Sequence, residues 1–406
     1  MIQAYDGDAY HGFRQDGITH GTCQALPQAY VSFDLSLFSQ TNALQFFAAT
    51  DVKEHAFLRK RVATAFTMST ILSLETQIQE VASTLWQQFD KFSQTGEIFD
   101  LQVWAGYFAF DIVTRLGLGE ARGFVEKGRD IEDIMKSIQD FFYIHASMGY
   151  MPGQMWCFFN PVSRFILKYL GPETTQGQGK FFGWLLQQIT IRLQLGEPSE
   201  TKPRQRDMLD HFISMKEPDG SNVPLPGILI EGGNLIGAGA DTTAVGIAVV
   251  LGELLKRPKD YARVQKEVDA ACTNNGISEV AGLTYLVAEK LPFLNACVKE
   301  ATRLTPSILW QLPREAPVEG ITIAGHYIPP SATLSMSPIA QNRCESIFGN
   351  RADEWQPDRW ILESGISSPE QIRQMDKFNV TVSRFEQADV NIKLISCSSD
   401  LEHELA

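Results

Sequence analysis

The stretch 226–256 does most to limit what this chain can fold into. It is apolar throughout and opens on Pro226, which suits a first helical turn. It closes on Lys256-Arg257-Pro258, where basic side chains meet the negative end of the helix dipole. A long helix is therefore expected. Yet Gly232, Gly233, Gly237 and Gly239 lie inside it, each opposing the helix by about 1 kcal/mol relative to alanine. Something must use the missing side chains, either a closely packed neighbouring helix or flat bulk pressed against the bare face. Asp241, Thr242 and Thr243 follow at once, an acid and two hydroxyls in an apolar setting. A threonine hydroxyl can bond the carbonyl four residues back and loosen the ladder, as turns at functional sites often do. Reading Gly237-Ala238-Gly239 as the start of a dinucleotide loop fails, because Thr242 takes the third glycine's place and no βαβ rhythm surrounds it. The window 235–255 is the most apolar in the chain, but it contains Asp241, Glu253 and several glycines. It reads as a buried helix, since a membrane span needs about 20 predominantly apolar residues.

Elsewhere helical periodicity dominates. Apolar positions recur at helical spacing over 51–92, a further helix is expected over 101–118, and two or three more over 128–195. The polar, proline-containing stretch 197–206 is the best linker candidate. Helices follow over 258–273 and 291–304, the second with Leu294, Cys297, Val298 and Ala301 as its apolar stripe. After Pro313 the character changes, and Ile321-Thr322-Ile323 and Tyr327-Ile328, broken by Gly325 and Pro329-Pro330, read as short hairpin strands. The fold class is mainly α (α+β), with small sheets late in the chain.

Composition narrows the function. The 406 residues are 44% hydrophobic and 20% charged, which fits a compact globular protein and rules out wholesale disorder. A formal charge of −13 without a large basic patch makes nucleic acid an unsuitable partner. The six cysteines lie far apart with no CxxC pair, as reduced thiols do in a cytosol-facing protein, and no metal site is read from them. The first residues have neither a basic nor an apolar region of the signal-peptide kind.

The string Ala238-Gly239-Ala240-Asp241-Thr242-Thr243 resembles the oxygen-activating helix motif of the cytochrome P450 family, and three further segments follow in that family's order. Glu300-Ala301-Thr302-Arg303 looks like its ExxR helix, whose charges at i and i+3 share a face. Pro357-Asp358-Arg359-Trp360 is similar to its PERF segment, with Asp in the usual Glu position. Leu312-Pro313-Arg314-Glu315, with the strands that follow, looks like its hairpin. Earlier, His55-Ala56-Phe57-Leu58-Arg59 is similar to its WxxxR helix, with His in place of Trp. Singly, each has a plain alternative: a surface ion pair for Glu300 and Arg303, a solvated basic face for Arg59-Lys60-Arg61. The ordered set resembles fungal members most.

The resemblance implies a haem–thiolate monooxygenase that uses dioxygen to hydroxylate or demethylate an apolar small molecule, with electrons from an NADPH-dependent flavoprotein reductase. On that footing Gly237, Ala238 and Gly239 let the helix approach the haem. Asp241 and Thr242 serve a proton relay, and His55, Arg59 and Arg314 hold the haem propionates in charge-assisted hydrogen bonds. Glu300, Arg303 and Arg359 form a buried structural network, and 307–310 borders the substrate pocket. Members of this type sit on the cytosolic face of the endoplasmic reticulum membrane through an N-terminal helix, which this chain does not show, so a cytoplasmic location is the alternative.

The family's FxxGxRxCxG loop, which carries the cysteine ligand, is not matched beyond Phe378. Residues 379–406 contain no glycine, and Cys397 is their one cysteine. A tight loop around a ligating sulfur needs the backbone freedom of glycine, so an exposed tail thiol is the plainer expectation for Cys397. The chain is therefore read as one P450-like domain over 1–378, incomplete at both ends, with 379–406 as a non-family tail. A catalytically inactive homologue that binds no haem is the competing expectation.

Overall fold

The computed structural model describes residues 52–140, 160–162, 165, 177–196, 206–278, 282–309, 314–323, 325–330 and 332–380. They fall into two compact units, one within 24–244 and the other comprising 1–23 with 245–406.

In the first unit, α1 (Val52–Val62) runs into a 3-10 turn, Ala63–Phe66, and a short helix, Met68–Ser73, before α2 (Glu75–Thr95). The continuous helical pattern expected over 51–92 is thus broken. Thr67 is extended, its hydroxyl accepts the Thr70 N–H at 3.2 Å, and the Thr70 hydroxyl reaches back to the Thr64 carbonyl at 3.1 Å. Such side-chain bonds offer the backbone an alternative to the helical ladder, and apolar spacing does not register them. Helix α2 ends where Gly96 takes φ 69° and bonds the Phe92 carbonyl, a left-handed cap that favours glycine. Helix α3 (Leu101–Leu118) matches its expected bounds and begins where Asp100 accepts the N–H groups of Gln102 and Val103. Helix α4 (Gly177–Leu195) and α5 (Met208–Ile213) follow, the latter opened by a reciprocal Asp207/Asp210 capping box. The expected linker at 197–206 lies outside the described residues except Arg206. Its flanks are tied together by Arg192 and Asp207 at 2.5 Å. Phe110, Phe124, Leu185, Ile189, Phe212 and Ile236 anchor the unit's main core. A second cluster stacks Phe89 on Phe99 at 4.9 Å and sets Phe92 edge-on to Trp104 at 5.1 Å.

One buried group in this unit makes stability depend on pH. The Asp111 carboxylate accepts the N–H groups of Gly123 (2.8 Å), Phe124 (3.1 Å) and Val125 (2.8 Å). Burial outweighs these bonds and raises its pKa above the ordinary carboxylate value. A folded carboxyl that holds its proton more tightly than the unfolded one adds stability as pH falls from the raised value toward the ordinary one. Asp111→Asn should cost about 1–3 kcal/mol at neutral pH, because an amide N–H would face donors. The gap to the unmodified chain should widen as acid is added through that window. Urea titrations between pH 7 and 4 measure both effects, and a gap that narrows would contradict the assigned direction.

Helix α6 (Leu225–Leu255) contributes residues to both units and matches the expected long helix. By length and composition it would suffice to cross a membrane. The expectation of a buried helix holds only in part. Ile228, Leu229, Ile236, Ala240 and Ala244 are buried, but 245–252 are half-exposed, and only 22% of the most apolar window is buried.

The second unit continues through α7 (Pro258–Asn274) and α8 (Pro292–Leu304). Two small antiparallel pairs come next. Strand β1 (Arg314–Glu315) pairs with β4 (Thr333–Leu334), and β2 (Ile321–Ile323) pairs with β3 (His326–Ile328), with Thr322 opposite Tyr327. The turn before β2 requires glycine. Gly320 has φ +70°, and a Cβ there would stand 2.7 Å from the Ile328 carbonyl oxygen. Helix α9 (Pro369–Phe378) follows a 3-10 turn, Pro357–Trp360. The core gathers Phe293, Ala296, Cys297, Phe348, Met375 and Phe378. The expected α8 stripe needs correction, because Val298 is 40% exposed while Phe293, Ala296 and Glu300 are buried. The true inward face includes a carboxylate, which an apolar pattern passes over.

Candidate functional site

Of the seven glycines of α6, the four between 232 and 239 divide into two kinds. Methyl groups added at Gly232 and Gly233 would meet α4, at 3.6 Å from Leu185 and 2.8 Å from the Phe182 ring respectively. Here the bare backbone serves close helix packing. At Gly239 the added methyl would make ordinary contact with Val113 at 3.5 Å. Gly237 is different, since the residue is buried and yet a Cβ on it would meet no atom of the described residues within 4 Å. Among the described residues, none packs against the helix at this position. Gly237→Ala should raise the unfolding midpoint, worth about 1 kcal/mol by helix propensity. Gly233→Ala should lower it, because overpacking a core contact costs about 1–3 kcal/mol. Thermal melts of the two variants check the division, and equal shifts would refute it.

Asp241 lies one turn beyond Gly237 on the same face, and helical side chains lean back over the preceding turn. Asp241 is half-buried. The Thr242 hydroxyl donates to the Ala238 carbonyl at 2.9 Å, the back-bond expected of it. With its proton engaged there, the oxygen keeps lone pairs for an outside donor. Ala238 is exposed. One turn thus offers a bare position, an acid and a hydroxyl. In the same unit, His55 and Arg59 lie one turn apart on α1, both half-buried. Sequence reasoning passed over Arg61, whose side chain is 6% exposed and bridges Glu217 (3.2 Å) and Glu231 (3.5 Å). Its place in a basic run disguised it as a solvated residue.

The second unit holds Glu300, Arg303, Arg359 and Arg314. The first three come together in a sealed cluster, with side chains 0%, 0% and 3% exposed. Arg303 grips Glu300 with Nε and Nη2, both at 2.9 Å, and the Arg359 Nε adds a third bond at 3.0 Å. Trp360 Nε1 and the Gln356 N–H complete the carboxylate's coordination at 2.8 Å each. Two guanidiniums face one carboxylate, so the remaining donors go to carbonyls: Arg303 bonds Asn342, Ala352 and Glu354, while Arg359 bonds Phe348, Arg351 and Glu354. Burial pulls the Arg359 guanidinium below its usual value, opposed by the Glu300 charge. Trp360 could have been suspected from its place beside Arg359. Asn342 could not, since its partners are distant in sequence. Arg314 sits in β1, paired through its backbone with Leu334. Of the expected pocket border, Ile308 packs against the core, Leu309 is 50% exposed, and Trp310 lies outside the described residues.

No cluster of metal-ligating side chains occurs among the described residues. Burial, with Asp260 nearby, pushes the Cys297 thiol up to about 12. Cys272 is also buried, and Cys344 lies 3.1 Å from the Ser346 hydroxyl. The Cys297 thiol is thus held protonated, and Cys397 lies outside the described residues.

A bare, polar-flanked turn of a long helix and a sealed Glu–Arg–Arg cluster are the two marks of this chain. The cytochrome P450 family profile matches residues 23–378. The cytochrome P450 monooxygenase cicH of Emericella nidulans is 31% identical over 320 residues, covering 78% of this chain and 61% of that protein. The monooxygenase mpaDE of Penicillium roqueforti is 31% identical over 318 residues, 78% of this chain and 36% of its own. Quiannulatic acid synthase of Emericella variicolor is 27% identical over 344 residues, 82% and 65%. The chain belongs to the cytochrome P450 family, whose cofactor is haem. It spans less than two thirds of the length of these relatives.

Proposed function

We propose that the chain is part of a haem–thiolate monooxygenase that inserts one oxygen atom from dioxygen into an apolar small molecule. Its electrons come from an NADPH-dependent flavoprotein reductase. The observation that carries this reading is that no described residue packs against Gly237, which Asp241 and Thr242 follow one turn on. A flat macrocycle needs such a slot, and the chemistry it supplies, dioxygen activation, needs protons delivered beside it. Gly237, Ala238 and Gly239 line the approach, Asp241 and Thr242 hold and pass protons, and His55, Arg59 and Arg314 hold the propionates. Glu300, Arg303 and Arg359 keep the second unit in shape and touch no reacting atom. The domain is read over 1–378 with 379–406 outside it, and the intact protein works on the cytosolic face of the endoplasmic reticulum membrane. The naming of cicH and mpaDE as monooxygenases supports the reaction class.

A second reading, an inactive homologue that binds no haem, draws on one observation: residues 379–406 contain no glycine to shape a ligand loop around Cys397. Haem added to the purified chain, then reduced under carbon monoxide, separates the two. A red-shifted Soret band of the thiolate type would support the first reading, and it should weaken in Gly237→Ala, whose methyl occupies the slot. Absence of any haem band in the unmodified chain would establish the second reading.

A further inference from the structure

Asn342 is fully buried at the edge of the Glu300–Arg303–Arg359 cluster. Its carboxamide Nδ2 donates to the Arg303 carbonyl at 3.1 Å and to the Val380 carbonyl at 2.9 Å. Its Oδ1 accepts the Val380 N–H at 2.8 Å. Arg303 returns the contact, donating Nη1 to the Asn342 carbonyl at 2.6 Å. Val380 stands just beyond α9, fully buried, and belongs to neither helix nor strand. A buried main-chain N–H and carbonyl outside regular structure must find partners. One side chain supplies both, as a neighbouring strand would. A carboxamide suits the task because it carries a donor and an acceptor side by side.

We infer that Asn342 is a positioning residue. It couples the charged cluster to Val380 and fixes the main chain at that point, just beyond α9. Cooperative networks of this kind hold geometry more tightly than their separate bonds do. The clamp joins α8, through Arg303, to a point 77 residues later in the chain (380 − 303). The clamp rests on the four hydrogen bonds and not on the functional reading.

Hydrogen exchange resolved to single amides, on the full chain without haem, tests the inference. In the unmodified protein the Val380 amide should exchange at least about a hundredfold more slowly than an unprotected amide, as a hydrogen-bonded buried group does. Asn342→Leu keeps the bulk and removes the bonds. It should speed exchange at Val380 about tenfold or more while the amides of α8 and α9 stay protected. Asn342→Asp keeps the acceptor and should fall between the two. A Val380 amide that exchanges freely in the unmodified chain would overturn the inference, as would Asn342→Leu loosening α8 and Val380 equally, which is what a merely structural asparagine would do. If Asn342→Leu fails to fold, the unmodified chain and Asn342→Asp still decide. A slow Val380 amide in a chain that takes up no haem would leave the clamp standing and remove the functional reading.

Discussion

Glu300→Ala should yield little soluble protein, and what remains should unfold at clearly lower urea and carry no haem. The carboxylate accepts five hydrogen bonds, from Arg303 twice and from Arg359, Trp360 and the Gln356 main chain. Alanine would strand two guanidiniums with no counter-charge in a site closed to water. Breaking a buried pair in this way costs about 3–5 kcal/mol, and whole domains are stable by only about 5–15 kcal/mol. Glu300→Gln should be nearly as harmful, because its amide N–H groups would face the guanidinium donors. Buried ion clusters can sometimes be replaced by apolar groups at little cost. Here that route is closed, since the two arginines also satisfy five main-chain carbonyls (those of Asn342, Ala352, Glu354, Phe348 and Arg351) that apolar side chains would orphan. Soluble yield, a urea midpoint and haem content measure the effect. A variant with an unchanged midpoint and full haem loading would show that the cluster is dispensable.

The parts of this fold legible in the sequence are those governed by neighbours along the chain. Helix α3 and the long α6 could be bounded from periodicity, Pro226 and the Lys256-Arg257-Pro258 stop, because those signals act within a turn or two. The break at Thr67 was hidden, since the apolar spacing runs across it while two hydroxyls redirect the backbone. The inward face of α8 was misjudged at Val298, because the helix turns a carboxylate, Glu300, toward the core. Spacing alone placed Glu300 and Arg303 on one face, but nothing local to Asn342 reveals that it reaches Arg303 and Val380. The glycines show the same limit. Gly233 and Gly237 look alike as letters, yet a neighbouring helix packs against the first and no described residue against the second.

Asp241→Asn should lower turnover by about a hundredfold to ten-thousandfold, the span that a positioned proton-transfer group contributes, while leaving stability near that of the unmodified chain. Asp241 is half-buried one turn beyond Gly237, and on the proposed reading its carboxylate hands on the proton. Asparagine keeps the shape and removes the titrating oxygen. Thr242→Val makes the complementary test. It preserves the branched side chain but deletes the hydroxyl that now donates to the Ala238 carbonyl. It should leave substrate binding intact and divert reducing equivalents away from product. Residues 241 and 242 point about 100° apart around the helix. As members of one relay they should be non-additive, and the double variant should lose little more than the worse single one. The readouts are product formed per NADPH consumed and the peroxide released, with the reductase in excess. Retained coupling in Thr242→Val together with full turnover in Asp241→Asn would take the proton path away from this turn. A loss that tracks a lowered urea midpoint would reduce both residues to helix packing.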